Sequence, residues 1–299
     1  MKQDKHVTYT SYLKIDELLQ LQQPLSDGPE HDELLFITIH QVYELWFKQV
    51  LHEVAALQVS LEAGNSHRAV AVLGRVRTIM KTCVSQLDIL ETMTPLQFNS
   101  FRERLSSASG FQSAQFREIE AVLGRRDQAG AKADAKSGMG LAEHLSAGSP
   151  ARERVEAAMT RRSVWDSALH YFDSRKPIPK ELLSRDVRVA WEPHTGLQEI
   201  LIDLHRNDPE ASMIGEALVD LDEGLQEWRY RHVKMVERTI GHKIGSAGSA
   251  GAGYLASTLF NPVFPDLWAI RSSFSERPAQ HFSPALLGSW GRLRQGLVK

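Results

Sequence analysis

The sequence predicts an all-α protein with one main core. Apolar residues recur at helical spacings of three and four, while the alternating patterns that are typical of strands are scarce. Hydrophobic residues make up 42% and charged residues 24% of the 299 residues, as in an ordinary globular protein. No internal repeat divides the chain. We therefore expect a single all-helical domain over residues 1–299, with a variable surface segment at 125–150.

Turn and cap residues separate the predicted helices of the first half. Asp27-Gly28-Pro29 precedes a long helix, because proline is tolerated in a first helical turn. Thr94-Pro95 combines an N-cap with proline at the first helical position. The predicted helices run over about 9–22, 30–62, from Ser66 to about 92, 94–105 and, after the turn SSASG, to Leu123.

The second half begins with a change of composition. Segment 125–150 is rich in Ala, Gly and Ser and has no strong apolar face, so we expect it to be mobile on the surface. Helical patterning resumes at 151–173 and again at 195–206, and Asp208-Pro209 opens a last long helix to about Ile240. FNPVFPDLWAIRSSF is expected to close the ordered part, and the residues after it are expected to form a tail.

Charge and cysteine content exclude several classes of protein. The net charge of −2 and the pI of about 6.6 provide no basic field that would attract nucleic acid or an anionic membrane. The single cysteine, Cys83, excludes an intrachain disulfide and a thiolate-based zinc site, and favours a reducing, cytoplasmic location. The first residues lack the apolar region of a secretory signal, and no apolar run is long enough to span a bilayer.

Two histidines interrupt the apolar stripes of the two most apolar long helices. In FITIHQVYELWFK, His40 shares a helical stripe with Phe36, Tyr43 and Phe47. In EWRYRHVKMVERTIG, His232 occupies a stripe whose members alternate at spacings of four and three. The apolar members of that stripe are Leu221, Leu225, Trp228 and Met235, and Thr239 continues it. Both imidazoles are therefore predicted to point inward.

An inward histidine has a structural and a functional interpretation. A core histidine is commonly satisfied by a backbone carbonyl, since burial without any partner would cost about 1–3 kcal/mol. The functional alternatives are a metal ligand, a cofactor ligand or an acid–base group. Neither Glu-x-x-His nor His-Glu-x-x-His occurs, so a di-metal or zincin site is not indicated. His31-Asp32-Glu33 and His52-Glu53 are interpreted as solvated polar groups on helix faces. A haem needs only one strong axial imidazole in an apolar slot, which these helices could supply.

The glycine-rich stretch GSAGSAGAG, at 245–253, raises a separate question. It follows a predicted helix rather than a strand and lacks the Gly-Lys-Ser/Thr ending of a phosphate-binding loop. It could close over a small ligand. A plain linker of the same composition is an equal alternative.

Several long motifs, in order, resemble the tryptophan 2,3-dioxygenase family. They are YTSYLKIDELLQLQQPLS, HDELLFITIHQVYELWFK, LETMTPLQFNSFRERLSSASGFQSAQFREIE, WRYRHVKMVERTIG and the glycine-rich stretch that follows. The resemblance implies an all-helical homotetramer with haem b, in the ferrous state when active. It also implies that L-tryptophan and O2 are the substrates, and that the indole ring opens to N-formylkynurenine in the kynurenine pathway of tryptophan catabolism.

The resemblance also implies roles for individual residues. His232 falls on the proximal ligand of the haem iron, and His40 falls on the distal histidine that faces the indole N–H. Arg102 matches the arginine that binds the substrate carboxylate. The remaining matches are Phe36 and Phe98 around the indole, Ser109 in the distal pocket beside the haem, Ser246 at the amino-acid end of the substrate, and Tyr9, Tyr12 and Leu13 in a segment that enters a neighbouring subunit's site.

One departure from the family pattern keeps an alternative reaction open. The family loop usually reads Gly-Thr-Gly-Gly-Ser-Ser-Gly, whereas residues 245–251 read GSAGSAG. Ser246 keeps the hydroxyl of the family threonine but lacks its methyl group, and Ala247 and Ala250 replace a glycine and a serine. Related enzymes monooxygenate tryptophan derivatives to 2-oxindoles, which is the second candidate reaction. A helical protein that binds haem or an indole without catalysis is the third candidate.

Overall fold

Helices account for the regular structure of the described chain. The computed structural model describes residues 7–28, 30–105, 112–126, 140–143, 145–241, 256 and 259–276. Within these ranges there is no strand, which confirms the all-α prediction. The α-helices are α1 (Tyr9–Leu13), α2 (Ile15–Leu18), α3 (His31–Glu62), α4 (Ser66–Leu90), α5 (Pro95–Arg102), α6 (Ala114–Leu123), α7 (Pro150–Met159), α8 (Val164–Asp173), α9 (Lys180–Leu183), α10 (Thr195–Asn207), α11 (Pro209–Ile240) and α12 (Pro265–Ala269). Two 3-10 helices follow α5 and α12, at Glu103–Leu105 and Ile270–Glu276.

Three long helices carry the main core. α3 and α11 have 32 residues each, or about 48 Å of helix. α4 packs against both of them, and α8 and α6 cover the other side of α3. The apolar side chains at these contacts are almost completely buried, and each contributes about 1.5–3 kcal/mol relative to an exposed position. This packing holds α3 and α11 in fixed positions relative to α4.

The predicted cap residues determine where the site helices begin. The Thr94 side chain accepts the backbone N–H of Gln97, whose own side chain accepts the N–H of Thr94. Asp208 accepts two backbone N–H groups at the start of α11, with proline at the first helical position. α5 ends as an α-helix at Arg102 and tightens into a 3-10 turn, so the helix predicted over 94–105 is confirmed in its position.

The N-terminal helix predicted over 9–22 is wrong in its length. Lys14 adopts a left-handed conformation, with φ at 55°, and this splits the segment into two short helices. The chain then runs without regular structure across the start of α3. Glu33 is buried there and accepts the backbone N–H groups of Leu25 and Ser26 at 2.7 and 3.2 Å. Glu33 is therefore a structural anchor and not the solvated group that was predicted.

Glu53 is likewise buried, contrary to the prediction for His52-Glu53. Its two carboxylate oxygens each lie 2.9 Å from Nη1 of Arg75, and Gln49 donates to it at 2.8 Å. This pair joins α3 to α4. The sequence could not reveal it, because Arg75 is 22 residues away.

The helical patterning predicted over 151–173 forms two helices, α7 and α8. Ser163 caps α8 through a reciprocal pair with Asp166, in which the Ser163 backbone N–H lies 2.8 Å from the Asp166 carboxylate. A new N-cap can form only where the preceding helix has ended. The capping signal was present in the sequence, but the helical pattern on either side of it obscured it.

Segment 125–150 is not simply a mobile surface element, so that prediction was wrong at its ends. Leu141, Ala142 and Leu145 are buried against α6 and α7 in a small second cluster of apolar side chains. Arg126 is also buried and donates to the backbone carbonyls of Ala121, Val187 and Arg161. Residues 127–139 and 144 lie outside the described residues.

Two buried carboxylates, Asp222 and Asp266, fix the segment that closes the described chain. Asp222 on α11 accepts the backbone N–H groups of Val263 and Phe264 and the Trp268 indole, at 2.8, 3.2 and 2.9 Å. Asp266 accepts the indole N–H of Trp191 at 2.6 Å. The predicted tail after residue 276 lies outside the described residues. Over the described ranges, no helix combines the length and the apolar character that crossing a bilayer requires.

Candidate active site

The two inward histidines face one region between α3, α5 and α11. α5 packs against both long helices and closes one side of that region. Burial lowers the pKa of both His40 and His232, and the neighbouring His40 lowers that of His232 further. Both side chains nevertheless keep part of their surface accessible. The region between α3, α5 and α11 that these two side chains border is called the recess below.

Aromatic rings form the wall of the recess on the α3 side. The Phe36 ring lies 4.1 Å from the His40 ring between centroids, and 5.7 and 5.6 Å from the rings of Phe98 and Phe101. Phe36 precedes His40 by one helical turn, and Phe98 and Phe101 come from α5. The structure thus brings together three of the predicted site residues, Phe36, His40 and Phe98, and adds Phe101.

The tautomer of His40 follows from its hydrogen bond. Its Nδ1 lies 2.7 Å from the backbone oxygen of Phe36. A carbonyl oxygen can only accept, so Nδ1 carries the proton. Burial keeps the ring neutral by lowering its pKa, although this hydrogen bond and the Glu44 carboxylate act in the opposite direction. Nε2 therefore remains as a hydrogen-bond acceptor.

His232 has a different environment on the α11 side. Trp228, one turn earlier, stacks on it with ring centroids 5.0 Å apart and an angle of 12° between the planes. No hydrogen bond to either His232 nitrogen is formed within the part of the chain that the structure describes. Burial, His40 and then Arg117 lower the pKa of His232 to about 4. The ring is therefore neutral at pH 7, and the lone pair of one ring nitrogen can bind a metal ion.

A buried ion cluster lies behind His232. The Glu120 carboxylate accepts hydrogen bonds from Nη1 of Arg117 at 2.6 Å, Nη1 of Arg125 at 2.8 Å and Nη2 of Arg229 at 2.8 Å. Burial alone would raise the pKa of Glu120, but the three guanidinium groups outweigh it and lower the pKa to about 2. The cluster ties α6 to α11 and holds the Arg117 charge near His232.

Arg102 is the last residue of α5 and is half-buried. It follows Phe98 by four residues, so the two side chains lie on the same helix face. On α3, Glu44 accepts the Ser113 hydroxyl at 2.6 Å and the Gln115 amide at 2.8 Å. These bonds fix the start of α6 one helical turn beyond His40.

The predicted site residues of α1 are not assembled with the histidines in the single chain. Tyr9 and Tyr12 are each 76% exposed on α1, and Leu13 is 43% exposed. Ser109 and Ser246, with the whole 245–251 loop, lie outside the described residues. Their roles stay predictions.

Sequence reasoning missed the site roles of Trp228 and of the Glu120 cluster. Trp228 was predicted only as one member of an apolar stripe. Its signal was present, because an aromatic residue stands four positions before each histidine, Phe36 before His40 and Trp228 before His232. The Glu120 cluster had no such signal, since Arg229 is 109 residues from Glu120.

Comparison with known proteins agrees with the motifs. A family model described as tryptophan 2,3-dioxygenase matches residues 1–144 and 172–274. The protein named tryptophan 2,3-dioxygenase in Herpetosiphon aurantiacus is 56% identical over 267 residues, covering 89% of this chain and 98% of that relative. Proteins of the same name in Caulobacter vibrioides and Bacillus cereus are 43% and 37% identical, covering 91% and 90% of this chain and 99% and 93% of their own lengths. The resemblance found in the sequence is thereby confirmed, and the chain belongs to the tryptophan 2,3-dioxygenase family.

Proposed function

We propose that this chain inserts dioxygen across the indole C2–C3 bond of L-tryptophan and releases N-formylkynurenine, the first step of the kynurenine pathway. One observation carries the proposal: two neutral histidines on opposite long helices face a single aromatic recess. The names of relatives that are up to 56% identical over most of the chain support the reaction. The single cysteine, which is buried, is compatible with the proposed cytoplasmic location.

His232 would hold haem b at this recess by binding its iron. The ring is neutral, is surrounded by apolar and aromatic groups, and has no competing hydrogen bond among the described residues. Those are the conditions under which an imidazole nitrogen binds iron. When bound, ferrous haem supplies the redox chemistry that activates dioxygen. The protein supplies the binding site and the orientation of the substrate.

His40 would accept a hydrogen bond from the indole N–H. Its proton is held on Nδ1 by the Phe36 carbonyl, which leaves Nε2 for this contact. An indole N–H is a very weak acid, so complete proton transfer to a neutral imidazole is unfavourable. We therefore assign His40 an orienting role, with a hydrogen bond of about 1 kcal/mol.

The amino-acid end of the substrate would be bound from α5. Phe36 and Phe98 form an aromatic wall for the indole, with ring centroids 5.7 Å apart. Arg102 lies one turn beyond Phe98 and would bind the carboxylate through two parallel hydrogen bonds. An aromatic wall and a guanidinium group on one helix face match the two ends of an aromatic amino acid. Ser109 and Ser246 are proposed to complete the site.

The N-terminal helix supports a homotetramer in which subunits share sites. Tyr9 and Tyr12 are exposed aromatic side chains on a helix without buried residues. The segment is nevertheless anchored, since Gln41 on α3 donates to the Leu21 carbonyl at 3.0 Å. We propose that Tyr9, Tyr12 and Leu13 pack into the neighbouring subunit's site, which would bury this apolar surface.

The sequence at 245–251 keeps monooxygenation as the second candidate. Serine at 246 is less restricted in rotamer than threonine, and a looser contact would let the indole shift relative to the iron. Mass spectrometry of the product formed under labelled dioxygen separates the two reactions. We expect both labelled atoms in the product from L-tryptophan.

Incorporation of one labelled atom, or turnover only with a methylated tryptophan, would establish the monooxygenase instead. Ser246→Thr should then shift the product ratio toward dioxygenation. Absence of any product from the reduced, haem-loaded protein would leave the third candidate, a protein that binds without catalysis.

A further inference from the structure

Among the residues that the structure describes, Trp228 makes the one ring contact that is parallel to His232. The two planes differ by 12° at a centroid distance of 5.0 Å, and the residues are one helical turn apart. By contrast, the His40 ring is tilted by 38° relative to Phe36 and is fixed by a hydrogen bond instead. His232 is therefore held by a ring face and not by a hydrogen bond, within the described ranges of the chain.

Ligand histidines are usually oriented by a hydrogen bond from the second ring nitrogen to a carbonyl or a carboxylate. No described residue provides such an acceptor for His232. Without one, the imidazole could rotate about its side-chain bonds, and its plane relative to a bound group would vary. The parallel indole restricts this rotation, because turning the imidazole would break the stack or drive its edge into the indole face.

Trp228 can impose an orientation because it is itself fixed. It is 7% exposed. Phe116 contacts it from α6 with centroids 4.5 Å apart, while Tyr43 and Phe47 meet it edge to face at 6.5 and 6.2 Å from α3. Three helices therefore determine the plane of the indole, and the indole passes that plane to His232.

The indole N–H of Trp228 adds no independent argument. It is buried and lacks an acceptor among the described residues, but the same is true of Trp165 and Trp46. The aromatic face, rather than the N–H group, distinguishes Trp228. This distinction can be tested, because phenylalanine keeps a face and loses the N–H.

We propose that Trp228 is a positioning residue that sets the plane of the His232 imidazole toward the haem iron through parallel stacking. The proposal rests on the proposed function, since it assumes that His232 is the axial ligand. It predicts that the iron–imidazole bond responds to loss of the ring face and not to loss of the indole N–H.

The experiment compares Trp228→Phe, Trp228→Met and Trp228→Leu with Trp165→Phe as the matched control. Trp165 is also buried with an N–H that lacks a described acceptor, and it has no ring contact with either site histidine among the described residues. Resonance Raman spectra of the ferrous proteins record the iron–histidine stretching band, and circular dichroism records the helix content. Transfer of haem to apomyoglobin gives its release rate.

Trp228→Met and Trp228→Leu should shift and broaden the iron–histidine band and release haem roughly three- to tenfold faster, from the usual energy of an aromatic pair. Trp228→Phe and Trp165→Phe should keep the band close to its original position. The prediction is the same for Trp228→Met and Trp228→Leu, so the test needs only one of these two variants to fold.

Three results would overturn the proposal. An unmoved band in both aliphatic variants, or an equal shift in Trp228→Phe and Trp228→Met, would refute positioning by the ring face. A wild-type protein without an iron–histidine band would refute the haem ligation itself, and this failure is visible before any variant is made.

Discussion

His40 and His232 have the same sequence signature and opposite structural environments. Each follows an aromatic residue by four positions on a long apolar helix. His40 donates from Nδ1 to the Phe36 carbonyl, while His232 has a parallel indole and no hydrogen-bond partner in the described ranges. The structural interpretation of a buried histidine therefore holds for one nitrogen of His40, whereas His232 still requires a partner. Burial alone does not distinguish a histidine that orients from one that is available to bind a metal.

The sharpest way to break this comparison is to remove each imidazole in turn. His232→Ala should lose most bound haem, because it removes the proposed ligand of the haem iron. His40→Ala should keep its haem. The Soret band and the haem content after gel filtration measure the difference, with circular dichroism to verify that the helices persist. Full haem content with the same Soret band in His232→Ala would refute the assignment of His232 as the iron ligand and of His40 as the orienting residue.

We expect the ion cluster around Glu120 to make a large contribution to the free energy of unfolding. Glu120→Gln removes the carboxylate to which the buried Arg117 and Arg229 both donate, and we expect a loss of about 3–5 kcal/mol in the free energy of unfolding at pH 7. Glu118→Gln on the same helix is the control, since its partner Arg154 is 3.6 Å away and 52% exposed. That control should lose less than about 1 kcal/mol in urea denaturation.

The same carboxylate predicts a pH dependence. The three arginines lower the pKa of folded Glu120 to about 2 from an ordinary value of 4.5, so the unfolded state binds more protons between these values. Its contribution is therefore complete above pH 4.5 and is lost as the pH falls toward 2. The stability difference between wild type and Glu120→Gln should shrink over that range. A constant difference would contradict the assignment.

The α5 side should affect substrate binding without affecting haem. Arg102→Lys should raise KM for L-tryptophan by about tenfold, because an ammonium group cannot reproduce two parallel hydrogen bonds to a carboxylate. Arg104→Lys is the matched control, since Arg104 is an exposed residue paired with Asp27. Steady-state kinetics at equal haem content make the comparison. If KM is unchanged in Arg102→Lys, the carboxylate is bound elsewhere.

The smallest effect is expected for turnover without His40. Loss of one orienting hydrogen bond of about 1 kcal/mol should reduce kcat/KM for L-tryptophan by about fivefold in His40→Ala. His52→Ala, at an exposed position of the same helix, should be unchanged. Complete loss of turnover with haem retained would instead indicate that His40 is an indispensable base.

The sequence alone determined the helical class, the starts of α5 and α11, the inward direction of both histidines and the family. These features depend on local periodicity, on capping side chains three residues apart and on motifs that are contiguous in the chain. Tertiary structure decided the rest. The buried ends of 125–150 and the burial of Glu33 and Glu53 arise from contacts with residues outside their own segment or helix.

Local sequence and tertiary structure both determine how the environments of His40 and His232 differ. The hydrogen bond from His40 to the Phe36 carbonyl is local, because it joins residues one helical turn apart. Their spacing in the sequence is compatible with such a bond. The stack of Trp228 on His232 is equally local, but its rigidity comes from Phe116, Tyr43 and Phe47 on two other helices. The charge near His232 comes from Arg117, which Glu120 holds together with Arg229, 109 residues away. Helical periodicity determines which way a side chain points, whereas packing between distant segments determines what it meets there.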